Sequence, residues 1–196
     1  MTSVPAVATR PVLADRVPTI AARDALLVVA GTLVVAASAQ VVIPLPFTPV
    51  PITGSTFGVL LAAAALGPMR GFAAIALYWV LGVSGLPFFQ DGNSGLTYAL
   101  GATGGYLVGF FAASLVVGLL ARRGFDRRPE GTAVAFIAGS LVIYAFGVPW
   151  LAVVLAVSLP EAIGLGLTPF LIGDALKAAL AAVVLPLAWR FTGENR

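Results

Sequence analysis

The sequence predicts an all-α membrane protein with six transmembrane helices, some of them short or broken and joined by re-entrant loops. Hydrophobic residues fill 60% of its 196 positions and charged residues 10%, against about 45–50% and about 25% in soluble domains. Residues 25–69, 71–90, 92–121 and 131–160 carry no charge, which is more apolar length than one soluble core can bury. The 22 Gly and 14 Pro argue against a plain up-and-down bundle, because both mark unwound stretches that must line a cavity or be buried in protein.

Taken in order, residues 1–23 hold Pro5, Pro11, Pro18, Arg10, Arg16 and Arg23 and read as a flexible cytoplasmic tail, without the apolar region of a signal peptide. A first span covers 25–43 and is stopped by Pro44, Pro46, Pro49 and Pro51, which form an extended loop or re-entrant turn. The second span, 53–67, ends at Gly67-Pro68, and the third, 71–86, ends before Pro87. Residues 87–103 read as loop, followed by a fourth span at 104–121 and a fifth at 132–148. Residues 149–165 are open between loop, interfacial helix and extra span, since the apolar run before Pro160 is too short to cross. The last span covers 169–189, giving a membrane domain over 24–190 and a cytoplasmic C-terminal tail over 191–196.

Six spans with an internal N-terminus put Arg10, Arg16, Arg23, Arg70, Arg122, Arg123, Arg127, Arg128, Arg190 and Arg196 on the cytoplasmic side, a strong positive-inside pattern. The arginines flank apolar spans, so the net charge of +3 reads as a topology signal in an inner, or plasma, membrane and not as a nucleic-acid surface. The absence of Cys and His removes thiol nucleophiles, Cys/His metal sites and any Ser-His pair. Lys177 is the only lysine and no phosphate-binding Gly-x-x-x-x-Gly-Lys loop exists, so ATP is not hydrolysed by that route.

Asp174 and Lys177 lie three apart in the last span, on one helix face. Each charge costs a few kcal/mol or more in hydrocarbon, so both must meet protein, water or ligand. An ion pair serving only packing is the competing reading, although an apolar pair stabilises as well or better. The pair suits a small molecule with N–H donors plus a carbonyl or carboxylate. Asp91 and Glu161 are further acids near the outer side. Gly101-Ala102-Thr103-Gly104-Gly105-Tyr106 sets glycines at a helix start, open between a polar contact and close helix packing. Phe57, Tyr78, Trp79, Phe88, Phe89, Tyr98 and Tyr106 gather near segment ends as an interfacial belt or as ligand walls.

Pro51-Ile52-Thr53, Thr56-Phe57-Gly58-Val59-Leu60-Leu61, Leu66-Gly67-Pro68, Arg70-Gly71, Tyr78, Leu81-Gly82, Gly85-Leu86-Pro87, Phe89, Thr103-Gly104-Gly105-Tyr106, Gly173-Asp174 and Leu176-Lys177 together resemble the BioY family, the biotin-binding S components of energy-coupling factor (ECF) vitamin transporters. The sequence departs from that pattern at Ser55, Ala102 and Gln90-Asp91. The resemblance implies a six-helix S component, not an enzyme, that captures biotin near the outer face. It implies substrate contacts at Asp174, Lys177, Asn93, Ser94, Tyr106 and Gly104, with Trp79, Phe57 and Phe89 as apolar walls. Biotin offers ureido N–H groups to Asp174 and oxygens to Lys177. Implied partners are a membrane T component, a pair of cytoplasmic ATPases and the lipid bilayer, with docking through small residues at Thr32 and Ala36. No cofactor, metal or nucleic acid is implied. An intramembrane enzyme, or a channel or facilitator for another small molecule, is the alternative.

Overall fold

The structure, a computed structural model, describes residues 10–18 and 22–192. Helix α1 (Arg23–Ala39) leads into a small antiparallel hairpin of β1 (Val42–Ile43) and β2 (Ile52–Thr53), with Val42 opposite Thr53 and Ile43 opposite Ile52. The four prolines occupy the connection between these strands, where they cannot donate to a ladder. Next come α2 (Ser55–Leu66) and α3 (Pro68–Val83), joined at Gly67. Gly67 takes φ +81°, a left-handed backbone that a side chain resists, and Pro68 restarts the helix in its first turn.

Beyond the loop lie α4 (Gly95–Ala99), α5 (Gly104–Arg122), α6 (Pro129–Leu155), α7 (Leu159–Gly166) and α8 (Leu171–Phe191). Among the described residues, three stretches are long and apolar enough to cross a membrane: Gly104–Arg122, Pro129–Leu155 and Leu159–Phe191, the last spanning α7 and α8. Helices α2 and α3 are shorter apolar helices. Helix α5 forms the centre, packed against α2, α3 and above all α6. Its approach to α6 is backbone-close: a Cβ on Gly109 would lie 2.9 Å from the Ile143 Cα.

Two expectations are corrected. The fifth span does not stop at Pro149, because α6 continues to Leu155. Pro149 removes one helical hydrogen bond, yet the turn after it is held by the Trp150 indole, which donates to the Gly101 carbonyl at 2.9 Å. The helix ends instead at Ala156, in the left-handed region at φ 54°. Residues 149–165 thus hold the end of α6 and the eight-residue α7, which is too short to cross.

Residues 10–17 are not loose. Val12 and Ala14 are buried, and the Arg70 guanidinium bridges Asp15 at 2.7 Å and Asp24 at 3.1 Å. Partial burial pushes the Asp15 carboxyl up, but the hydrogen bonds from Arg70 and the Val12 N–H, with the Arg122 charge, hold it below its ordinary value. Residues 1–9, 19–21 and 193–196, with the tail readings and Arg196 that fall on them, lie outside the described residues.

Candidate ligand-binding site

The Lys177 ammonium donates to Asp174 Oδ1 at 3.1 Å and to Thr56 Oγ1 of α2 at 2.7 Å. The second Asp174 oxygen accepts a short hydrogen bond from the Tyr144 hydroxyl of α6. Both charged side chains are largely covered, at 18% and 13% exposed, so the pair is held by three helices and shielded from bulk solvent. An ammonium has three N–H donors and an ionised carboxylate about four acceptor positions. One donor of Lys177 and further lone pairs of Asp174 therefore remain for a ligand.

These groups form one side of a pocket with about 550 Å³ of empty space, counting its open part. Its walls are aromatic: Tyr78, Phe89, Tyr98, Tyr106, Phe110, Tyr144 and Phe170. Thr53, Ser55, Thr56, Gln90 and Thr103 add polar atoms. Tyr106 is fixed by its hydroxyl, which donates to the Gly166 carbonyl at 2.8 Å, and its ring meets Tyr144 edge-on at 6.4 Å.

The far wall depends on how the 87–103 loop is folded. Phe89 is fully buried, edge-on to Tyr78 at 5.5 Å and stacked on Tyr98 at 5.3 Å. It passes over Gly82, where a Cβ would sit 2.5 Å from its ring. The Gln40 amide, at the end of α1, donates to the Phe89 carbonyl at 3.2 Å and accepts from the Gly92 N–H at 2.9 Å. Asp91 sits at the tip with φ 56°.

Of the residues singled out in the sequence, Asp174, Lys177, Tyr106 and Phe89 come together in this pocket, and Asn93, Ser94, Gly104, Trp79 and Phe57 lie outside its lining. Asn93 shapes the loop: its side-chain amide donates to the Gln90 carbonyl at 2.9 Å and its backbone carbonyl accepts from the Phe89 N–H at 3.0 Å. Ser94 is the extended residue before α4. Gly104 makes room for Trp150, whose Nε1 a Cβ would meet at 3.0 Å. Phe57 packs 6.1 Å from the Phe136 ring, and Trp79 is a half-buried residue packed against the core. Asp91 and Glu161 are exposed and outside the pocket. Ser55 and Gln90, two of the departures from the family pattern, line it; Ala102 does not.

Thr56 and Tyr144 were not singled out, although both hold the charged pair directly. A phenol in the middle of an apolar span was the available sign of Tyr144, since a buried hydroxyl needs a partner. Thr56 opens one of the motifs that carry the family resemblance, which gives it no contact of its own.

Fold and pocket define a class: a helical membrane protein with an aromatic cavity and a shielded Asp–Lys pair suited to a small polar-ended molecule. Residues 9–194 match the BioY family, and the chain belongs to it. A probable biotin transporter BioY of Pyrococcus horikoshii is 38% identical over 136 residues, covering 69% of this chain and 78% of that one. The biotin transporter BioY of Rhizobium etli is 36% identical over 149 residues, covering 72% and 79%. Among solved structures, the S-component for biotin from an ECF-type ABC transporter superposes with a TM-score of 0.78 at 23% identity, covering 86% of this chain and 91% of that one.

Proposed function

We propose that this protein captures biotin in the Asp174–Lys177 pocket and serves as the S component of an ECF-type transporter mediating biotin uptake. It is a transport subunit and not an enzyme. The observation that carries the reading is the shielded pair itself: an acceptor and a donor, each already oriented by one protein hydroxyl, at the edge of an aromatic cavity. Biotin matches that division, with ureido N–H groups for Asp174, oxygens for Lys177 and an apolar thioether ring for the aromatic walls. The names carried by the relatives from Pyrococcus horikoshii and Rhizobium etli support biotin as the ligand.

Six spans are assigned to α1, α2, α3, α5, α6 and α8, with both termini cytoplasmic in the plasma membrane. The described arginines support this orientation, because they meet at one end: Arg70 and Arg122 approach Asp15, Arg16 and Arg127 face Trp189, and Arg10, Arg123, Arg128 and Arg190 share one cavity. The pair at Asp174 and Lys177 lies towards the other end of α8, about 20 Å from Arg190 at about 1.5 Å per residue. Release inside would require a membrane T component and cytoplasmic ATPases, since this chain has no phosphate-binding loop of its own.

Thermal unfolding of the purified protein tests the ligand, because a compound that binds only the folded state raises its stability. Biotin is expected to raise the midpoint, while riboflavin and thiamine leave it unchanged. A shift with another vitamin and none with biotin overturns the ligand; no shift with any overturns the capture role. Biotin methyl ester reports whether the carboxylate is recognised.

A further inference from the structure

A second cavity opens at the arginine-rich end, with about 1440 Å³ of empty space counting its open part. Arg10, Arg123, Arg127, Arg128 and Arg190 line it, with Glu130 as the acid in its wall. Its base is rigid. Trp189 is 2% exposed, its indole N–H donates to Asp126 Oδ2 at 2.7 Å, and the Arg127 guanidinium lies 4.2 Å from its ring centre while donating to the Pro11 carbonyl at 3.1 Å. Arg10, Arg123, Arg128 and Arg190 are exposed and enter no ion pair among the described residues. Four arginines gathered against one acid, Glu130, are unfavourable alone, and their forked donors suit phosphate oxygens.

An apolar groove between α6 and α8 lies along the membrane side of the cavity. On α6, Pro129 and Glu130 line the cavity and Ala133, four and three residues on and so on the same helix face, lines the groove, while on α8 Pro186 of the cavity and Ala179 of the groove stand two turns apart on one face. The groove passes Ile137, Leu141, Ala175 and Ala179 and reaches Tyr144. From Ala133 to Tyr144 is about 16 Å along the helix, close to half of the roughly 30 Å hydrocarbon core. A free anion would use the arginines and leave the groove untouched; a phospholipid uses both. Basic pockets between transmembrane helices are a known way of holding acidic headgroups.

We propose that this cavity and the neighbouring groove together bind one anionic phospholipid, with its phosphate among Arg123, Arg128 and Arg190 and an acyl chain along the α6–α8 groove. Asp174 and Tyr144 line the far end of the groove as well as the ligand pocket, so the acyl chain covers the membrane side of that pair.

The test is native mass spectrometry of the whole protein in neutral detergent, titrated with phosphatidylglycerol, phosphatidylcholine of the same chains, and inorganic phosphate. Phosphatidylglycerol is expected to bind as one retained lipid, about tenfold or more tighter than phosphatidylcholine. The triple variant Arg123→Gln, Arg128→Gln, Arg190→Gln is expected to lose that preference, and Ile137→Trp, which fills the groove, to weaken both lipids. Should the triple variant fail to fold, the single exposed change Arg190→Gln is expected to lower the preference about threefold. Equal binding of the two lipids, or an undiminished preference in the arginine variants, overturns the proposal. Displacement of phosphatidylglycerol by equimolar phosphate makes this a free-anion site and also overturns it, as does an Ile137→Trp protein that binds phosphatidylglycerol as tightly as the parent.

Discussion

Asp174 and Asp126 are both withdrawn from water at opposite ends of the molecule, and they are held differently. Both oxygens of Asp174 are engaged, one by the Lys177 ammonium and one by the Tyr144 hydroxyl. Asp126 is 1% exposed, and among the described residues its one side-chain hydrogen-bond donor is the Trp189 indole, while its Oδ1 has no partner. Burial pushes the Asp126 carboxyl up to about 6, against the Trp189 hydrogen bond and the Arg127 charge that pull it down. The contrast teaches that removal from water does not by itself make a binding group. A carboxylate with a counter-charge and spare acceptor positions can receive a ligand, whereas one with a single donor is driven towards its neutral form.

The sharpest way to break the contrast is at the first aspartate. Lys177→Met leaves Asp174 without its counter-charge, and Asp174→Asn leaves Lys177 in the same state. Loss of one partner of a covered, hydrogen-bonded pair costs about 2–5 kcal/mol, so biotin affinity is expected to fall by at least about thirtyfold in either variant. Titration calorimetry checks this, and the double variant is expected to lose less than the sum of the two.

The second aspartate gives the opposite signature. Its folded value near 6 lies above the unfolded value of about 3.9, so the folded state binds the extra proton between them. Stability from this group therefore falls as pH rises from about 4 to about 6 and levels off above that. Asp126→Asn is expected to flatten that slope and to raise stability at pH 7 by up to about 3 kcal/mol, measured by thermal unfolding from pH 4.5 to 7.5. Asp15 runs the other way, since its lowered value contributes stability that is lost only as the pH drops below about 4.

Gly82→Ala probes the aromatic wall that the charged pair faces. Its new methyl overlaps the Phe89 ring, and overpacking of this kind costs about 1–3 kcal/mol. Weaker biotin binding with the helical circular dichroism retained is the expected result. Tyr144→Phe is the mildest change: the loss of one neutral donor to a carboxylate lowers affinity by about tenfold, which calorimetry resolves.

The two aspartates also show how far the sequence could be read. Asp174 and Lys177 were visible as a pair because their spacing of three places them on one helix turn, and residues 9–194 fall within the family that the motifs resembled. Their partners were not, because Thr56 and Tyr144 reach the pair from other helices, and no local spacing reports which helices become neighbours. Pro149 looked like a stop because proline removes a backbone donor, yet the Trp150 contact with Gly101 keeps the helix going. Asn93 and Ser94 lie in the 87–103 loop and outside the pocket lining, and polarity alone does not say whether a loop residue faces a ligand or folds the turn. Asp126 lies in sequence among Arg122, Arg123, Arg127 and Arg128, and its burial under Trp189 depends on a contact with the far end of α8.

An experimental density map of the biotin-saturated protein tests the proposed pocket at Asp174 and Lys177. The ureido N–H groups are expected within hydrogen-bond distance of Asp174 and a biotin oxygen within that distance of Lys177, with the ring against Tyr106 and Phe89. Biotin density in the arginine-lined cavity or the α6–α8 groove, with the Asp174–Lys177 pocket empty, would contradict that assignment.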